Sequence, residues 1–276
     1  MDATTARFGV FLLVFVIMAV AEAVAPRRRL RFGRRRWPAN LGIVAINGLF
    51  VRLLLPGGAV AVALWADAHH FGLLHMLGWT GGAAIAAAVI LLDLAIYAQH
   101  VLFHATPILW RLHMVHHADR DIDVTTGLRF HPIEILLSML IKMAVVALLG
   151  ASALAVIIFE IVLNGMAMFN HANVQLPASA DRLLRLLFVT PDVHRIHHSI
   201  IRNETNSNYG FNLSIWDRLF HTFRKQPQRG HEGMVIGLEQ LQSAPTQQLG
   251  FMLRLPFDGD IGQYPILARE EKPHVR

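Results

Sequence analysis

The sequence predicts an all-α integral membrane protein, a polytopic bundle of about five helices that span the bilayer. Two observations predict this fold class. Of the 276 residues, 54% are hydrophobic and only 16% are charged, whereas about 25% of the residues in a soluble domain are charged. The chain also contains four long apolar stretches, and about 20 helical residues suffice to cross the hydrocarbon core of a bilayer.

The charge of the chain is concentrated in one short block. The chain has 25 basic and 19 acidic side chains, a formal net charge of +6. Seven arginines lie at 27–36, and without them the chain carries 18 basic and 19 acidic residues. The excess charge is therefore local and gives no support for nucleic-acid binding. The absence of cysteine excludes disulfides, thiolate metal sites and a cysteine nucleophile.

The apolar stretches define the spans in chain order. They are Phe8–Ala25, Leu41–Ala66, Gly82 to about His104, and Ile135–Asn170. The second stretch contains a break at Pro56-Gly57-Gly58. The fourth is too long for one crossing, and Gly150-Ala151-Ser152 near its middle predicts a tight turn between two helices. The count is therefore five crossings.

The arginine block predicts the orientation of these spans. Residues 21–25 also fit the cleavage pattern of a signal peptide, but the arginines follow the apolar run instead of preceding it, which favours a retained anchor. Positive charge marks the cytoplasmic side of a membrane protein. We therefore expect the N-terminus outside, and the arginine block and the last hundred residues in the cytoplasm.

Histidine is the unusual residue of this sequence. There are sixteen histidines, and eight of them fall in three short patterns. One is H-x-x-x-H and two are H-x-x-H-H, made up as follows: His100 and His104; His113, His116 and His117; His194, His197 and His198. The predicted topology brings all three patterns to the cytoplasmic face.

The spacing of these histidines has a geometric meaning on a helix. Residues i and i+4 lie about 40° apart in azimuth, and residues i and i+3 about 60° apart, so each pattern aims two imidazoles at a common point. The neighbouring histidine of H-x-x-H-H lies about 100° round the helix and could reach a second metal. Imidazole binds iron, zinc, copper and nickel. Because eight imidazoles exceed what one ion coordinates, the sequence predicts a histidine-rich di-metal cap on the bundle.

Two more histidines lie near these patterns in the predicted topology. His131 precedes the fourth apolar stretch and His171 follows it. Each is a candidate metal ligand, and the alternative is a hydrogen bond that orients another ligand. Five other histidines are interpreted as solvent-exposed, in an outer loop or in the polar tail: His69, His70, His75, His231 and His274.

Metal-bound histidines usually donate their other ring N–H to a carboxylate or a carbonyl. The candidates for this supporting role are Asp93, Asp123, Glu134, Glu160, Asn173 and Asp192. Glu160 lies inside an apolar span, where ionisable groups are costly and usually functional. Lys142, across the predicted hairpin, could instead pair with Glu160, and the sequence leaves both possibilities open.

Other classes of site find less support in the sequence. There is no H-E-x-x-H, no G-x-S-x-G and no phosphate-binding glycine loop. A zinc-dependent or single-metal hydrolase in the membrane remains an alternative, and so does a divalent-metal transporter lined with histidines. A transporter would carry polar ligands at mid-membrane depth on several spans. The histidines collect instead at predicted helix ends on one face, which disfavours transport.

The motifs resemble those of the fatty acid hydroxylase superfamily, in its sterol desaturase branch, over roughly residues 85–255. Besides the histidine patterns, the resemblance rests on Asp93-Leu94-Ala95-Ile96-Tyr97, Leu109-Trp110-Arg111-Leu112-His113, Asp123-Val124-Thr125-Thr126, Phe130-His131-Pro132, Asn206-Ser207-Asn208-Tyr209-Gly210 and Ile215-Trp216-Asp217-Arg218-Leu219-Phe220. One departure is His221, which stands where the family commonly has glycine.

The resemblance implies a membrane enzyme with a non-haem di-iron centre at the cytoplasmic mouth of the bundle. Such enzymes use O2 and two electrons to hydroxylate or desaturate an unactivated C–H bond of a lipid. The implied iron ligands are His100, His104, His113, His116, His117, His194, His197 and His198, with His131 and His171 as further candidates.

The resemblance also implies an electron donor and a division of the chain. No haem-binding histidine accompanies Leu55-Pro56-Gly57-Gly58, so a separate ferredoxin or cytochrome b5-type protein with its reductase is expected to supply electrons. Residues 1–80 would form anchor spans with a cytoplasmic arginine-rich loop. Residues 81–225 would form the catalytic domain, and residues 226–276 a cytoplasmic tail.

Overall fold

The fold is entirely helical. The computed structural model describes residues 3–267, in which there are no β-strands and only three isolated β-bridges. The helices are α1 (Ala3–Val24), α2 (Trp37–Leu54), α3 (Gly58–Ala68), α4 (Leu73–Met76), α5 (Gly81–Ala105), α6 (Pro107–His117), α7 (Pro132–Leu149), α8 (Ala153–His171), α9 (Ala178–Leu184), α10 (Pro191–His197), α11 (Arg202–Thr205), α12 (Ile215–Leu219), α13 (Gly230–Gly233) and α14 (Leu249–Asp258). Short 3-10 helices lie at Gly33–Arg36, Thr126–Leu128 and Glu239–Leu241. The predicted all-α class is confirmed.

Five segments are long and apolar enough to cross a membrane, as the sequence predicts. They are Arg7–Val24, Gly33–Met76, Gly81–Ala105, Pro132–Leu149 and Ala153–His171. The second segment is broken where the Pro-Gly-Gly break was predicted: α2 ends at Leu54, and Gly57 takes a left-handed φ of 79° before α3 begins. Proline cannot continue a helix and glycine accepts positive φ, which explains the break.

The spanning helices pack through small side chains. α1 packs on α8, α3 packs on α7 and α8, and α5 contacts α6, α7 and α8. Ala59 and Ala63 of α3, Ala88 of α5 and Ala155 of α8 are buried in one shared cluster. Alanine at helix interfaces lets backbones approach closely, and close packing drives helix association in a membrane.

Three helices begin at a proline. Pro107, Pro132 and Pro191 are the first residues of α6, α7 and α10. Proline suits the first helical position because its fixed φ fits the helix and the missing N–H would have no partner there. Each of these prolines lies within six residues of a histidine that the sequence predicts to be a metal ligand. The position at which the helix starts therefore determines the direction in which that imidazole points.

The predicted tight turn between α7 and α8 is present. Gly150 ends α7 in the left-handed conformation, with φ 66°, and its N–H donates to the carbonyls of Val146 and Ala147. Ser152 caps α8, because its hydroxyl accepts a hydrogen bond from the Ala155 N–H. The turn packs against the segment that follows α3, where the Phe71 carbonyl faces Gly150.

The arginine block is folded onto the loop that follows α6. Arg36 is buried and forms ion pairs with Asp119 and Asp123, with Asp121 at 3.5 Å. The backbone N–H groups of Arg31 and Phe32 donate to Asp121. A buried guanidinium needs paired acceptors to offset its desolvation, so these carboxylates hold the block against the histidine-bearing part of the fold.

The turn at Gly150 can be tested against a matched glycine. A Cβ at Gly150 would lie 2.6 Å from the Phe71 carbonyl oxygen, whereas a Cβ at Gly78, with nearly the same φ of 65°, meets nothing within 4 Å. Both alanine substitutions strain the backbone, but only Gly150→Ala adds a clash. We expect Gly150→Ala to destabilise the protein by about 1–3 kcal/mol more than Gly78→Ala, measured by thermal unfolding in detergent. Equal shifts would contradict the packing of this turn.

Candidate metal centre

Four helices converge to form the centre. The last turns of α5 carry His100 and His104, and α6 follows directly with its three histidines. The end of α8 carries His171, and α10 carries the third pattern, with His198 as its C-terminal cap. α5 packs on α6 and α8 packs on α10, so the imidazoles of all four helices point into one buried space.

The structure brings nine of the ten predicted ligands together in two groups. Within each group, the candidate ligand atoms all lie within 4.8 Å of one another, and every member is buried. The five-histidine group contains His100, His104, His113, His117 and His197. The four-histidine group contains His116, His171, His194 and His198.

Each H-x-x-H-H pattern is shared between the two groups. His113 and His117, which are i and i+4, belong to the five-histidine group, and His116 belongs to the other. In α10 the i and i+4 pair belongs to the four-histidine group, and His197 crosses to the five-histidine group. The middle histidine of each pattern therefore crosses, because it lies about 100° from its neighbour around the helix.

Six of these nine histidines have their Nδ1 atom held by a hydrogen bond. Four Nδ1 atoms face backbone carbonyls: His100–Tyr209 at 2.8 Å, His197–Ser207 at 2.8 Å, His171–Ala167 at 2.7 Å and His116–Arg129 at 3.3 Å. The other two Nδ1 atoms face side chains: His113–Glu134 at 2.6 Å and His104–Asn206 at 3.1 Å. Carbonyl and carboxylate oxygens only accept, so Nδ1 donates in these pairs and Nε2 keeps its lone pair.

The amide of Asn206 is oriented by the C-terminal part of the chain. Its Nδ2 donates to the Tyr264 carbonyl at 2.7 Å, which leaves Oδ1 facing His104. The C-terminal segment is also tied to α5 directly, because the Ile266 N–H donates to the His104 carbonyl at 3.1 Å. Residues beyond α14 therefore hold a ligand of the five-histidine group.

The facing Nε2 atoms fit a bound cation in each group. Nε2 atoms approach to 3.1 Å between His100 and His113 and to 3.1 Å between His116 and His171. Because Nδ1 carries the proton in all four rings, these contacts join two lone pairs and are not hydrogen bonds. Metal–nitrogen bonds of about 2.0–2.1 Å place adjacent ligand nitrogens about 3.0–3.4 Å apart. The donor sets therefore fit metal ions.

Burial keeps the imidazoles neutral. It lowers the pKa of His113 to about 3. It also holds the pKa values of five other ligands outside the spans well below their ordinary value: His116, His117, His194, His197 and His198. Neutral imidazole is the form that binds metal, so both groups are ready to coordinate ions at pH 7.

His131 is the one predicted ligand that the structure leaves outside both groups. Its Nδ1 accepts a hydrogen bond from the Ile133 N–H at 3.2 Å, so the ring caps the start of α7. Its Nε2 lies 3.3 Å from the Leu253 carbonyl. Both ring nitrogens are thus used in holding α7 and α14 and are not directed at the other histidines.

Of the six predicted supporting residues, only Glu134 contacts a histidine of either group. The others make contacts elsewhere: Asp93 with Trp216, Asp123 with Arg36, Glu160 with Lys142 and Arg7, Asn173 with Arg28, and Asp192 with Arg27 and Arg195. The pairing of Glu160 with Lys142 is thus observed, at 2.7 Å.

The prediction that His231 is exposed is wrong. Its side chain is buried, and its Nε2 lies 3.6 Å from Asp192, the second residue of α10. His69 and His70 are exposed and His75 is half-buried, whereas His274 lies outside the described residues.

An apolar cavity of about 370 Å3 adjoins the five-histidine group. Both His100 and His113 line it, together with Ile96, Phe103 and Leu163. Its walls come mainly from α1, α2, α5, α7 and α8, and each of these five helices lies in a different one of the spanning segments. The cavity therefore connects the membrane-spanning bundle with the histidines.

Residues 85–222, half of the chain, match the sequence family described as Fatty acid hydroxylase. The chain belongs to this family. With its five apolar helices it is a multi-pass membrane protein, and the predicted family relationship is confirmed.

Several relatives in the family carry names that describe lipid oxidation. The ornithine lipid hydroxylase OlsE of Rhizobium tropici is 33% identical over 149 residues, 54% of this chain and 44% of that protein. Human alkylglycerol monooxygenase is 28% identical over 180 residues, 64% of this chain and 37% of that protein. Rat cholesterol 25-hydroxylase is 27% identical over 141 residues, 50% of this chain and 46% of that protein.

The match to these relatives is partial in length. The chain spans less than half the length of each of these three proteins. No solved structure matches the chain significantly.

Glu134 provides a test of how the five-histidine group is held. Glu134→Gln replaces the carboxylate that accepts from His113 by an amide of the same size. The amide oxygen can still accept from His113, but the negative charge behind the imidazole is lost. Changing such a supporting partner typically lowers metal affinity about 10–100-fold, and we expect a loss at the lower end of this range, measured by metal titration of the purified protein.

The matched control is Glu160→Gln, the same substitution at a predicted supporting residue that contacts Lys142 and Arg7 and no histidine. We expect this variant to keep the metal affinity of the unmodified chain. A loss in Glu160→Gln as large as in Glu134→Gln would refute the assignment of Glu134.

Proposed function

We propose that this chain is a membrane-bound lipid oxygenase that holds two iron ions in its histidine groups and hydroxylates a C–H bond of a lipid. The observation that carries the proposal is that one of the histidine groups borders an apolar cavity. Two buried all-histidine groups adjoin, and His100 and His113 belong both to the five-histidine group and to the wall of an apolar cavity between spanning helices.

The number and type of ligands favour iron over zinc. Zinc sites in proteins almost always have four ligands, or three when catalytic, whereas one group here offers five imidazoles. Bound there, two irons would supply the reductive activation of O2 with two electrons that an unactivated C–H bond requires. The chain contributes neutral donors only, since neither group contains a carboxylate.

The cavity supports a lipid substrate. Its lining is mostly aliphatic and aromatic, with Phe11, Leu128 and Phe130 among the residues. An alkyl chain lying there would be held by burial of its apolar surface, and one of its methylenes would lie beside His100 and His113. Such fixed positioning is what allows attack at one carbon of a flexible chain.

The names of the relatives favour hydroxylation over desaturation. Those reported above are a hydroxylase of ornithine lipids, a monooxygenase of alkylglycerols and a hydroxylase of cholesterol. They differ in headgroup and share a long apolar body, which agrees with a cavity that recognises the hydrocarbon part of its substrate. We therefore propose a lipid with a long hydrocarbon segment as the substrate class.

We further propose that the histidines and the C-terminus face the cytoplasm and that the N-terminus lies outside. Arg36 pairs with Asp119 and Asp123, which closely follow His117. The arginine block and the histidine groups are thus at the same end of the bundle, and positive charge favours the cytoplasmic side. On that side a separate ferredoxin or cytochrome b5-type protein with its reductase would deliver electrons.

The chain would then divide into three segments with different roles. Residues 81–225 would form the catalytic domain, which agrees with the family match at 85–222. Residues 1–80 would anchor the chain and close one side of the cavity through Phe11 and Val44. Residues 226–276 would cover the histidines from the cytoplasm.

The ligand assignment is tested by removing one imidazole from each group. His197→Ala and His116→Ala each delete one donor, and we expect each to abolish lipid hydroxylation and to lower the iron content of the purified protein. Iron per chain is measured by elemental analysis, and product by mass spectrometry of extracted lipids with O2 and an electron donor supplied.

The control for these variants is His69→Ala, in the exposed segment that follows α3. It should keep two irons per chain and full activity. Full activity in His116→Ala or His197→Ala would sink the ligand assignment. An unmodified chain that holds only zinc, cannot be loaded with iron and consumes no O2 would favour a hydrolase instead.

The cavity is tested by filling it without disturbing its walls. Gly48 lines the cavity, and a Cβ there meets nothing within 4 Å. We expect Gly48→Leu to shift the preference toward lipids with shorter chains and to lower kcat/KM for long ones, with the iron content unchanged, as measured by competition among lipids of different length.

Gly165 is the matched control, because it also lies in a spanning helix, has open space at its Cβ and does not line this cavity. Gly165→Leu should keep the chain-length preference. The same preference in Gly48→Leu as in the unmodified chain would mean that the lipid lies elsewhere.

A further inference from the structure

Residues 209–222 form a loop that runs alongside α5 and returns. At one end the Tyr209 carbonyl accepts from His100 at 2.8 Å. Further along the loop, the Leu213 N–H and the Trp216 indole N–H donate to Asp93, at 3.3 and 2.8 Å. His100 and Asp93 are seven residues apart on α5, a distance of about 10 Å along the helix axis.

The loop then comes back toward the histidines. The Phe220 ring stacks on Tyr97 with centroids 5.4 Å apart, and the hydroxyls of Tyr97 and Thr222 are 2.9 Å apart. Asp93 is the middle residue of α5, twelve residues from either end. The far end of the loop therefore lies beside the middle of a membrane-spanning helix.

The polar backbone of this loop is satisfied inside the protein. Asp217 is fully buried, and its carboxylate accepts from the N–H groups of Tyr209 and Gly210, each at 2.8 Å, and from the Thr222 hydroxyl at 2.7 Å. A Cβ on Gly210 would lie 2.6 Å from that carboxylate, so the approach requires glycine. Non-helical backbone is tolerated at membrane depth only when its hydrogen bonds are made within the protein.

A second segment, residues 183–188, joins the loop through its backbone. The Ser214 N–H donates to the Leu187 carbonyl at 3.0 Å, and the Val189 N–H donates to the Asn212 carbonyl at 3.0 Å. The Ser214 hydroxyl also donates to the Arg185 carbonyl at 2.8 Å. The two segments therefore form one continuous surface.

The outward side of this surface is apolar. Leu183 is 69% exposed, Leu186 59% and Leu219 61%. The other exposed apolar side chains of the two segments are Leu187, Phe188, Ile215 and Phe220. We call these seven residues the apolar shelf. Contiguous apolar surface of this kind marks an interaction site.

We propose that the apolar shelf inserts into the bilayer beside α5 and contacts the lipid chains of one leaflet, which makes residues 209–222 a re-entrant loop. The surface is continuous with a spanning helix, through Tyr97 and Asp93, and it lies at the depth of that helix. Exposed Arg182, Arg218 and Lys225 flank it, and basic side chains at the edge of an inserted surface meet anionic headgroups.

The shelf adjoins the substrate cavity. Phe211 lines the cavity, and its carbonyl accepts from the Asn170 side chain at 2.8 Å. Phe211 lies within the re-entrant loop and two residues before Leu213, which contacts Asp93. One face of the loop thus borders the cavity while the other contacts lipid. This inference does not depend on the metal or on the reaction.

The chain contains no cysteine, which permits single-cysteine labelling of the full protein. Leu186→Cys and Leu219→Cys place an environment-sensitive fluorophore on the shelf. Ile90→Cys, exposed on α5, is the lipid reference, and Asn203→Cys, exposed after α10, is the water reference. Each variant is reconstituted in vesicles of phosphatidylcholine and phosphatidylglycerol, and its thermal unfolding is compared with that of the unlabelled chain to confirm folding.

We expect the fluorophores at positions 186 and 219 to show the same quenching pattern as the fluorophore at position 90. Nitroxide-bearing lipids should quench them, and iodide in the water should not. Quenching by iodide as strong as at 203 would overturn the proposal. Protection from both quenchers would also overturn it, since the shelf would then be covered by protein, either a second copy of this chain or another partner.

Discussion

The structure depends on nine buried imidazoles whose ring nitrogens face one another in two groups. Such an arrangement is repulsive unless a cation lies between the rings, and it persists only if each ring is prevented from rotating. Six rings are fixed by an Nδ1 hydrogen bond, four of them to backbone carbonyls. Backbone carbonyls cannot be protonated or displaced, so they hold each tautomer more firmly than mobile side chains would. Three of these four carbonyls, those of Arg129, Ser207 and Tyr209, belong to segments between the helices.

Segments outside the family match help to build this centre. Arg129 is buried, and it donates to the Val115 carbonyl of α6, to Asn40 of α2 and to the Thr246 carbonyl near α14. Its own carbonyl accepts from His116. One side chain thereby ties three distant parts of the chain to a ligand of the four-histidine group. Each nitrogen of this buried guanidinium donates a hydrogen bond, and these bonds hold α2 and the segment before α14 against α6.

The sequence predicts the spans and the convergence of the histidines, because hydropathy and helical spacing are periodic properties that a single chain displays. It does not predict which group His116 or His197 joins, since that depends on the relative rotation of α6 and α10. The sequence also does not distinguish His131, which caps α7, from the histidines of the two groups. A histidine directly before Pro132 is suited both to capping a helix and to binding a metal. Carbonyl partners have no residue signature at all. Asn206 has one, in the Asn-Ser-Asn-Tyr-Gly motif, but side-chain amides are not among the usual partners of a metal-bound histidine.

The length of α5 links the membrane to the metal centre. Its 25 residues extend about 37 Å, whereas the hydrocarbon core is about 30 Å thick, so the final turns with His100 and His104 emerge at the boundary. In the function proposed above, a lipid chain in the cavity would meet the histidines without leaving the bilayer. The loop at 209–222 lies beside this half of α5, and its polar groups turn inward to Asp93 and Asp217. The two carboxylates thus act on the histidines indirectly, by keeping the apolar side of the loop outward and its Tyr209 carbonyl on His100.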